Sequence, residues 1–224
     1  MKRFETAMLA FGLMLAALPV APAADTICPP NPSPGVTVNG NLLVPSGQSC
    51  SLLGDVTVTG NVQVQMNANL QIASSSVRPG PTIGGNVNVG TGATLIVLGF
   101  FQVDGNIDAE QCNVLHLGTD TLPATGNIGG NVVAQDCTSP GGNEFVSPSK
   151  LLTTEISGNL TCNNNVLCFA EFINVKGNAQ FNNNVSAFVR LNTIGGNLIC
   201  QDNENISGED NTVAGSKLGQ CAGL

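Results

Sequence analysis

The sequence has no tryptophan, no tyrosine and one histidine, and only 10% of its 224 residues are charged. Sugar-binding clefts lean on aromatic rings as rigid platforms, so the missing indoles and phenols argue against a lectin or a glycosidase. The one histidine, His116, sits between Leu115 and Leu117. In a strand that alternation points it outward, where a solvated surface side chain is expected rather than a catalytic base. Basic side chains are scarce as well: 7 Lys and Arg stand against 15 Asp and Glu, for a formal charge of −8. A nucleic-acid binder needs a basic surface, so that class is excluded. The acidity fits a role in solubility.

Long apolar runs are also missing, apart from Ala7 to Val20, which is too short for a comfortable membrane span. Lys2 and Arg3 precede that run and Ala21-Pro22-Ala23 follows it, the pattern of a secretory signal peptide over residues 1–23. No lipobox cysteine follows, so the expected product is an exported chain without a lipid anchor or a transmembrane segment. Losing Lys2, Arg3 and Glu5 leaves 5 basic and 14 acidic side chains, a formal −9. Eight cysteines in an exported chain point to disulfides rather than zinc or thiol chemistry.

What the chain has in abundance is one short signature. Val38-Asn39-Gly40-Asn41-Leu42 returns with its Asn at 41, 61, 86, 106, 131, 159, 178 and 197, and Ser216 fills a ninth place. The spacings of 20, 25, 20, 25, 28, 19, 19 and 19 mean one structural unit per repeat, with loops inserted in the longer copies. Those insertions fall near 74–81, 118–125 and 139–149, where Gly, Pro, Ser and Thr dominate. Three residues before each Asn the side chain is always β-branched, from Val38 and Val58 to Ile194 and Val213. One and three residues after it apolar side chains alternate with polar ones, as in Leu42 and Val44, and a second alternating pair such as Cys50 and Leu52 follows. Period-two alternation marks strands with one buried face, and no segment shows helical periodicity. The predicted fold is all-β: a single-stranded parallel β-helix (β-solenoid) of about nine coils of roughly 19–25 residues, right-handed in sense, with at least two inward-facing strands per coil. At about 4.8 Å per coil the rod is roughly 40 Å long.

The Gly-Asn step is assigned to the bend between those strands, because both residues tolerate positive φ. Stacked coils then bring Asn41, Asn61, Asn86, Asn106, Asn131, Asn159, Asn178 and Asn197 into a ladder of hydrogen-bonding amides. The Pro-rich segment within residues 24–35 is placed as an N-terminal cap on the solenoid of residues 36–224, and Ser216 and Lys217 mark a terminal capping coil. The repeat also orders the cysteines. Cys112 and Cys137 share a phase six residues past their Asn, which stacks them on adjacent coils at a disulfide distance. A Cys200–Cys221 bridge would pin the last coil to its cap, Cys28–Cys50 would pin the first, and Cys162–Cys168 pair by elimination.

Chemistry-bearing residues are few. Arg78, Lys150, Lys176, Arg190 and Lys217 occupy different phases. Carboxylates gather at Asp104, Asp108 and Glu110, and at Asp202, Glu204, Glu209 and Asp210. Such oxygen-rich loops are the only candidates for a cofactor, Ca²⁺, yet neither matches an EF-hand or a calcium-roll nonapeptide, and solvated acidic turns are expected instead. No catalytic residue, cofactor site or metal site is assigned.

The Val-x-Gly-Asn-Val core, the Ile-Gly-Gly-Asn copies starting at 83, 128 and 194, and the closing Asn211-Thr212-Val213-Ala214-Gly215 followed by Cys221 resemble a group of secreted bacterial parallel β-helix proteins of uncharacterised function. That resemblance implies fold and export, and no activity. A more distant similarity is to the bactofilins, cytoplasmic β-helices that polymerise end to end and lack paired cysteines. The functional expectation is an exported, non-enzymatic structural or adhesive module of the cell envelope or extracellular space, whose partner is a cell-surface polymer or a second copy. A polysaccharide-acting lyase or hydrolase is the alternative by fold analogy. Ice binding ranks below it, because outward Thr57 and Thr59 are not continued in later coils.

Overall fold

Each of the first eight copies of the signature becomes one coil of three short strands, and the ninth forms two strands and a 3₁₀ turn. A computed structural model describes residues 25–74, 80–119, 126–138 and 149–224; the expected signal peptide, Arg78 and most of the three insertions lie outside them. Stacking the coils produces three parallel sheets. The first has ten strands, from Thr26–Ile27 and Leu42–Val44 to Lys217–Gly219. The second has eight, from Ser49–Leu53 to Asn205–Ser207, and the third has nine, from Thr37–Val38 to Thr212–Val213. The chain is therefore a parallel β-solenoid of triangular coils.

Spacing gives at least two strands per coil and puts the Gly-Asn step between them. The structure has three and corrects the place of that step. The β-branched residue three before each Asn belongs to a third strand of two or three residues, so Gly-Asn turns the chain from the third sheet into the first. The turn from the first sheet into the second comes later, at residues such as Gly47, Asn67, Gln111, Asp136 and Asn164, all with φ between +53° and +70°. That turn escaped detection because its sequence changes from coil to coil and only its backbone conformation recurs.

Val38, Leu42, Val44, Cys50, Leu52 and Val58 point inward, each 5% exposed or less, and their equivalents continue as one column along the rod. Register is uniform: Leu42 lies against Val62, Val62 against Val87, and Val87 against Ile107. Burying a Val, Leu or Ile contributes about 1.5–3 kcal/mol, but only if the coils above and below are present.

A cap segment lies at each end of the stack, while Asn205–Ser207 and Thr212–Val213 remain the outer strands of the second and third sheets. Thr26–Ile27 pairs with Leu42–Leu43 as an extra strand, after which Cys28 enters the core and the Pro-rich segment crosses the open end. There Asn31 Oδ1 accepts the N–H of Ser51 at 2.9 Å, satisfying one donor of the edge strand Ser49–Leu53. At the other end, Lys217–Gly219 still pairs with Leu198–Cys200, and a 3₁₀ turn over Gln220–Gly223 follows. Cys221 is fully buried, Leu224 packs on the core, and Lys217 Nζ donates to the Leu224 carbonyl.

Candidate functional site

The repeated Gly-Asn corner is a solvent-facing device whose geometry differs from a stack of amides. The N–H of each ladder residue donates to the Asn Oδ1 of the preceding coil: Asn61 to Asn41 at 2.9 Å, Asn86 to Asn61 at 2.8 Å, Asn106 to Asn86 at 2.8 Å and Asn131 to Asn106 at 2.7 Å. Asn159, Asn178 and Asn197 continue it at 2.8 Å, and Ser216 closes it at 2.9 Å. Side-chain to side-chain contacts are longer, 3.2–3.3 Å where they occur. At the open end Asp25 takes the place of an Asn, accepting from Asn41 Nδ2 at 3.0 Å.

This geometry also corrects the reason for the glycine. Of the nine Gly in the signature only Gly40, at φ +97°, has a left-handed backbone. The others are required for space: a Cβ on Gly60 would stand 2.5 Å from Asn41 Oδ1, and one on Gly177 2.5 Å from Asn159 Oδ1. The Asn of one coil fills the room that the next coil's Gly leaves open.

Two further ladders are buried, and sequence reading assigned them no role. Asn165, Asn184 and Asn203 stack where the first sheet turns into the second, and Asn192 and Asn211 stack at the turn into the third; each is 6% exposed or less. Their polarity is reversed. Asn165 N–H donates to Asn184 Oδ1 at 2.9 Å and Asn184 N–H to Asn203 Oδ1 at 3.0 Å, one coil further on. Each Nδ2 reaches back to a buried carbonyl: Asn165 to Ala134, Asn184 to Cys162 and Asn203 to Phe181, at 2.8–2.9 Å. Gln220 ends the series by imitating the missing coil. Its Oε1 accepts from Asn203 N–H at 2.9 Å and its Nε2 donates to Asn203 O at 2.8 Å. The signal was present as Asn163-Asn164-Asn165-Val166 and Asn182-Asn183-Asn184-Val185, 19 residues apart; the turn phase needed to interpret it was not.

Four disulfides join Cys28 to Cys50, Cys112 to Cys137, Cys162 to Cys168 and Cys200 to Cys221, with Cα separations of 4.4–6.4 Å. All eight sulfurs belong to residues 2% exposed or less. Cys112–Cys137 links adjacent coils at the corner that Asn165 continues, and Cys137 N–H donates to Asn165 Oδ1 at 2.8 Å. Four buried disulfides indicate an oxidising extracellular or periplasmic environment. No helix among the described residues is long and apolar enough to cross a membrane.

The outer faces differ from one another. On the first sheet, two shallow depressions meet at Asn88, one lined by Asp25, Asn41, Asn61, Gln63 and Gln65, the other by Thr91, Asp108, Glu110 and Gln111. Around these depressions carboxamides and carboxylates stand about 4.8 Å apart across strands and about 7 Å apart along them, whereas Val133, Ile199 and Leu218 occupy the same outward row further on. On the third sheet Thr37, Thr57 and Thr82 do stand in register, but Gln102, Asn127, Glu155 and Asn174 follow before Thr193 and Thr212. The second sheet carries two aromatic rings on its outer face. Phe169 and Phe188 stack at 4.7 Å between centroids, and the Arg190 guanidinium lies 5.0 Å from the Phe188 ring while pairing with Glu171 at 2.5 Å. His116 stands on the same face, beside Ile96.

Neither acidic group holds together as a site. Asp108 and Glu110 share the first-sheet face, but Asp104 sits at the corner after Phe101–Val103, bonded by Gln102. Asp202 and Glu204 are separated from Glu209 and Asp210 by the strand Asn205–Ser207. Among the described residues no three His, Cys, Asp or Glu side chains converge on a point that would suit a metal ion. Comparison with protein-family models, with curated proteins and with solved structures returns no significant match.

Proposed function

We propose that this chain is an exported structural or adhesive β-solenoid of the cell envelope or extracellular space, without catalytic duty. The observation that carries the reading is the capping of the rod: Asp25 stands at the open end of the Asn41 ladder, Gln220 imitates the coil missing beyond Asn203, and buried disulfides hold both caps in place. Such a rod is stiff, separates its two ends by a fixed distance, and presents three long faces. Export follows from Lys2, Arg3, the apolar run to Val20 and Ala21-Pro22-Ala23, together with the oxidised cysteines. The amide array on the first sheet, with its fixed donors and acceptors, suits attachment to a hydroxyl-rich surface polymer more than chemistry upon one.

The test is a pair of measurements on the purified mature protein. It should co-sediment with isolated cell-envelope material, and it should release no oligosaccharide from a panel of pectin, alginate and related polymers. Depolymerisation of any member would replace this reading with a polysaccharide-acting enzyme.

A further inference from the structure

The signature changes chemical character in its first copy. Between the β-branched residue and the Gly stand Thr59, Asp104, Ser157, Lys176, Ala214 or a further Gly in the later copies, but Asn39 in the first. Asn39-Gly40 is the one Asn-Gly pair in the chain. The ladder asparagines are each followed by a fully buried apolar residue, from Leu42, Val62 and Val87 to Leu198. Asn is a chemically labile side chain, because the backbone nitrogen of the next residue can attack its amide. A Cβ on that next residue, a β-branched one above all, stands in the way, and glycine has none.

The backbone at this corner is also held differently. In later coils the signature Gly N–H donates to the Gly carbonyl one coil back, as Gly60 to Gly40 at 2.9 Å, Gly130 to Gly105 at 3.0 Å and Gly177 to Gly158 at 3.0 Å. No signature Gly precedes Gly40, and its N–H donates instead to the Thr59 hydroxyl at 2.8 Å. A hydroxyl turns away by one side-chain rotation, whereas a carbonyl within the stack does not. Asn39 itself is exposed, unlike the asparagines of the two buried ladders.

We propose that Asn39 is a modification site, deamidated by attack of its own neighbour with water as the only co-reactant. The Gly40 nitrogen gives its proton to solvent and attacks Asn39 Cγ. The N–Cγ bond forms, the Cγ–Nδ2 bond breaks, and Nδ2 takes a proton from water and leaves as ammonia. Water then opens the cyclic imide at either carbonyl. Cleavage of the new N–Cγ bond yields aspartate, and cleavage of the original peptide bond yields isoaspartate; no electrons are exchanged in either route. The isoaspartate route inserts one methylene into the main chain between Val38 and Leu42, both core residues. The first coil then cannot keep its register with Val58 and Val62 together. Thr59 acts as a positioning residue that slows the first step for as long as it engages the Gly40 N–H. The change is irreversible, adds one negative charge, and loosens one end of the rod while the later coils stay as they were.

The test ages the purified mature protein in mildly alkaline buffer beside a synthetic peptide of residues 36–44, with conversion followed by peptide mapping and mass spectrometry. The wild type should convert at Asn39 ahead of every other asparagine, and more slowly than the peptide. Thr59→Val keeps the shape and removes the acceptor, and should speed conversion about two- to tenfold. Hydrogen exchange at Val62–Val64 checks that this variant stays folded. In aged wild type, exchange should quicken at Leu42–Val44, and Asn39→Ser, which cannot form the imide, should keep its protection there. An Asn39 still intact when the peptide has fully converted, equal conversion at other asparagines, or a folded Thr59→Val variant that ages at the wild-type rate would each overturn the proposal.

Discussion

Replacing Asn184 by Ala removes three hydrogen bonds at a site that water cannot reach. Asn184 is fully buried; its Oδ1 accepts from Asn165 N–H, and its Nδ2 donates to Cys162 O and to Asn203 Oδ1, all at 2.9 Å. The truncation orphans one buried backbone donor and one buried backbone acceptor. Each costs about 1–3 kcal/mol, so the loss is about 2–6 kcal/mol before the vacated volume is counted. Asn106→Ala makes the same chemical change at the exposed corner, where water can take the N–H of Asn131, and should cost about 0.5–1.5 kcal/mol. Urea unfolding of both variants with disulfides intact, followed by circular dichroism, measures the difference. Equal losses, or a larger loss for Asn106→Ala, would refute the claim that the buried ladder is the structural one.

Gly177→Ala should destabilise by about 2 kcal/mol or more, because its Cβ would stand 2.5 Å from Asn159 Oδ1 and 2.7 Å from the Gly158 carbonyl, and thermal unfolding reads the change. Gly47→Ala meets nothing within 4 Å and should lose only about 1 kcal/mol, from its φ of +70°; if the two variants lose the same amount, close approach is not what the signature glycine serves. The Cys200→Ser/Cys221→Ser pair should fray the C-terminal cap alone. Hydrogen exchange should quicken around Lys217–Gly219 while Val62–Val64 stays protected, and uniform loss along the rod would contradict nearest-neighbour stability.

The sequence by itself determined that the chain coils, how many times, and which side chains face inward. Those properties follow from a period that recurs in phase through nine β-branched residues, beginning with Val38. It also placed Cys112 and Cys137 at one phase, because a solenoid converts equal phase into spatial adjacency. Only the tertiary structure decided how each corner works. The signature Gly serves the Asn of the coil before it, a relation between residues about 20 apart that no local propensity encodes. Asn165 and Asn184 look like any loop asparagines until stacking buries them and leaves Ala134 and Cys162 carbonyls in need of donors. Leu191 is an ordinary apolar residue in the sequence, and only the fold gives it a left-handed backbone and 37% exposure. Periodicity is a one-dimensional property and survives in the string; hydrogen-bond direction, exposure and backbone strain arise when one coil is laid on the next.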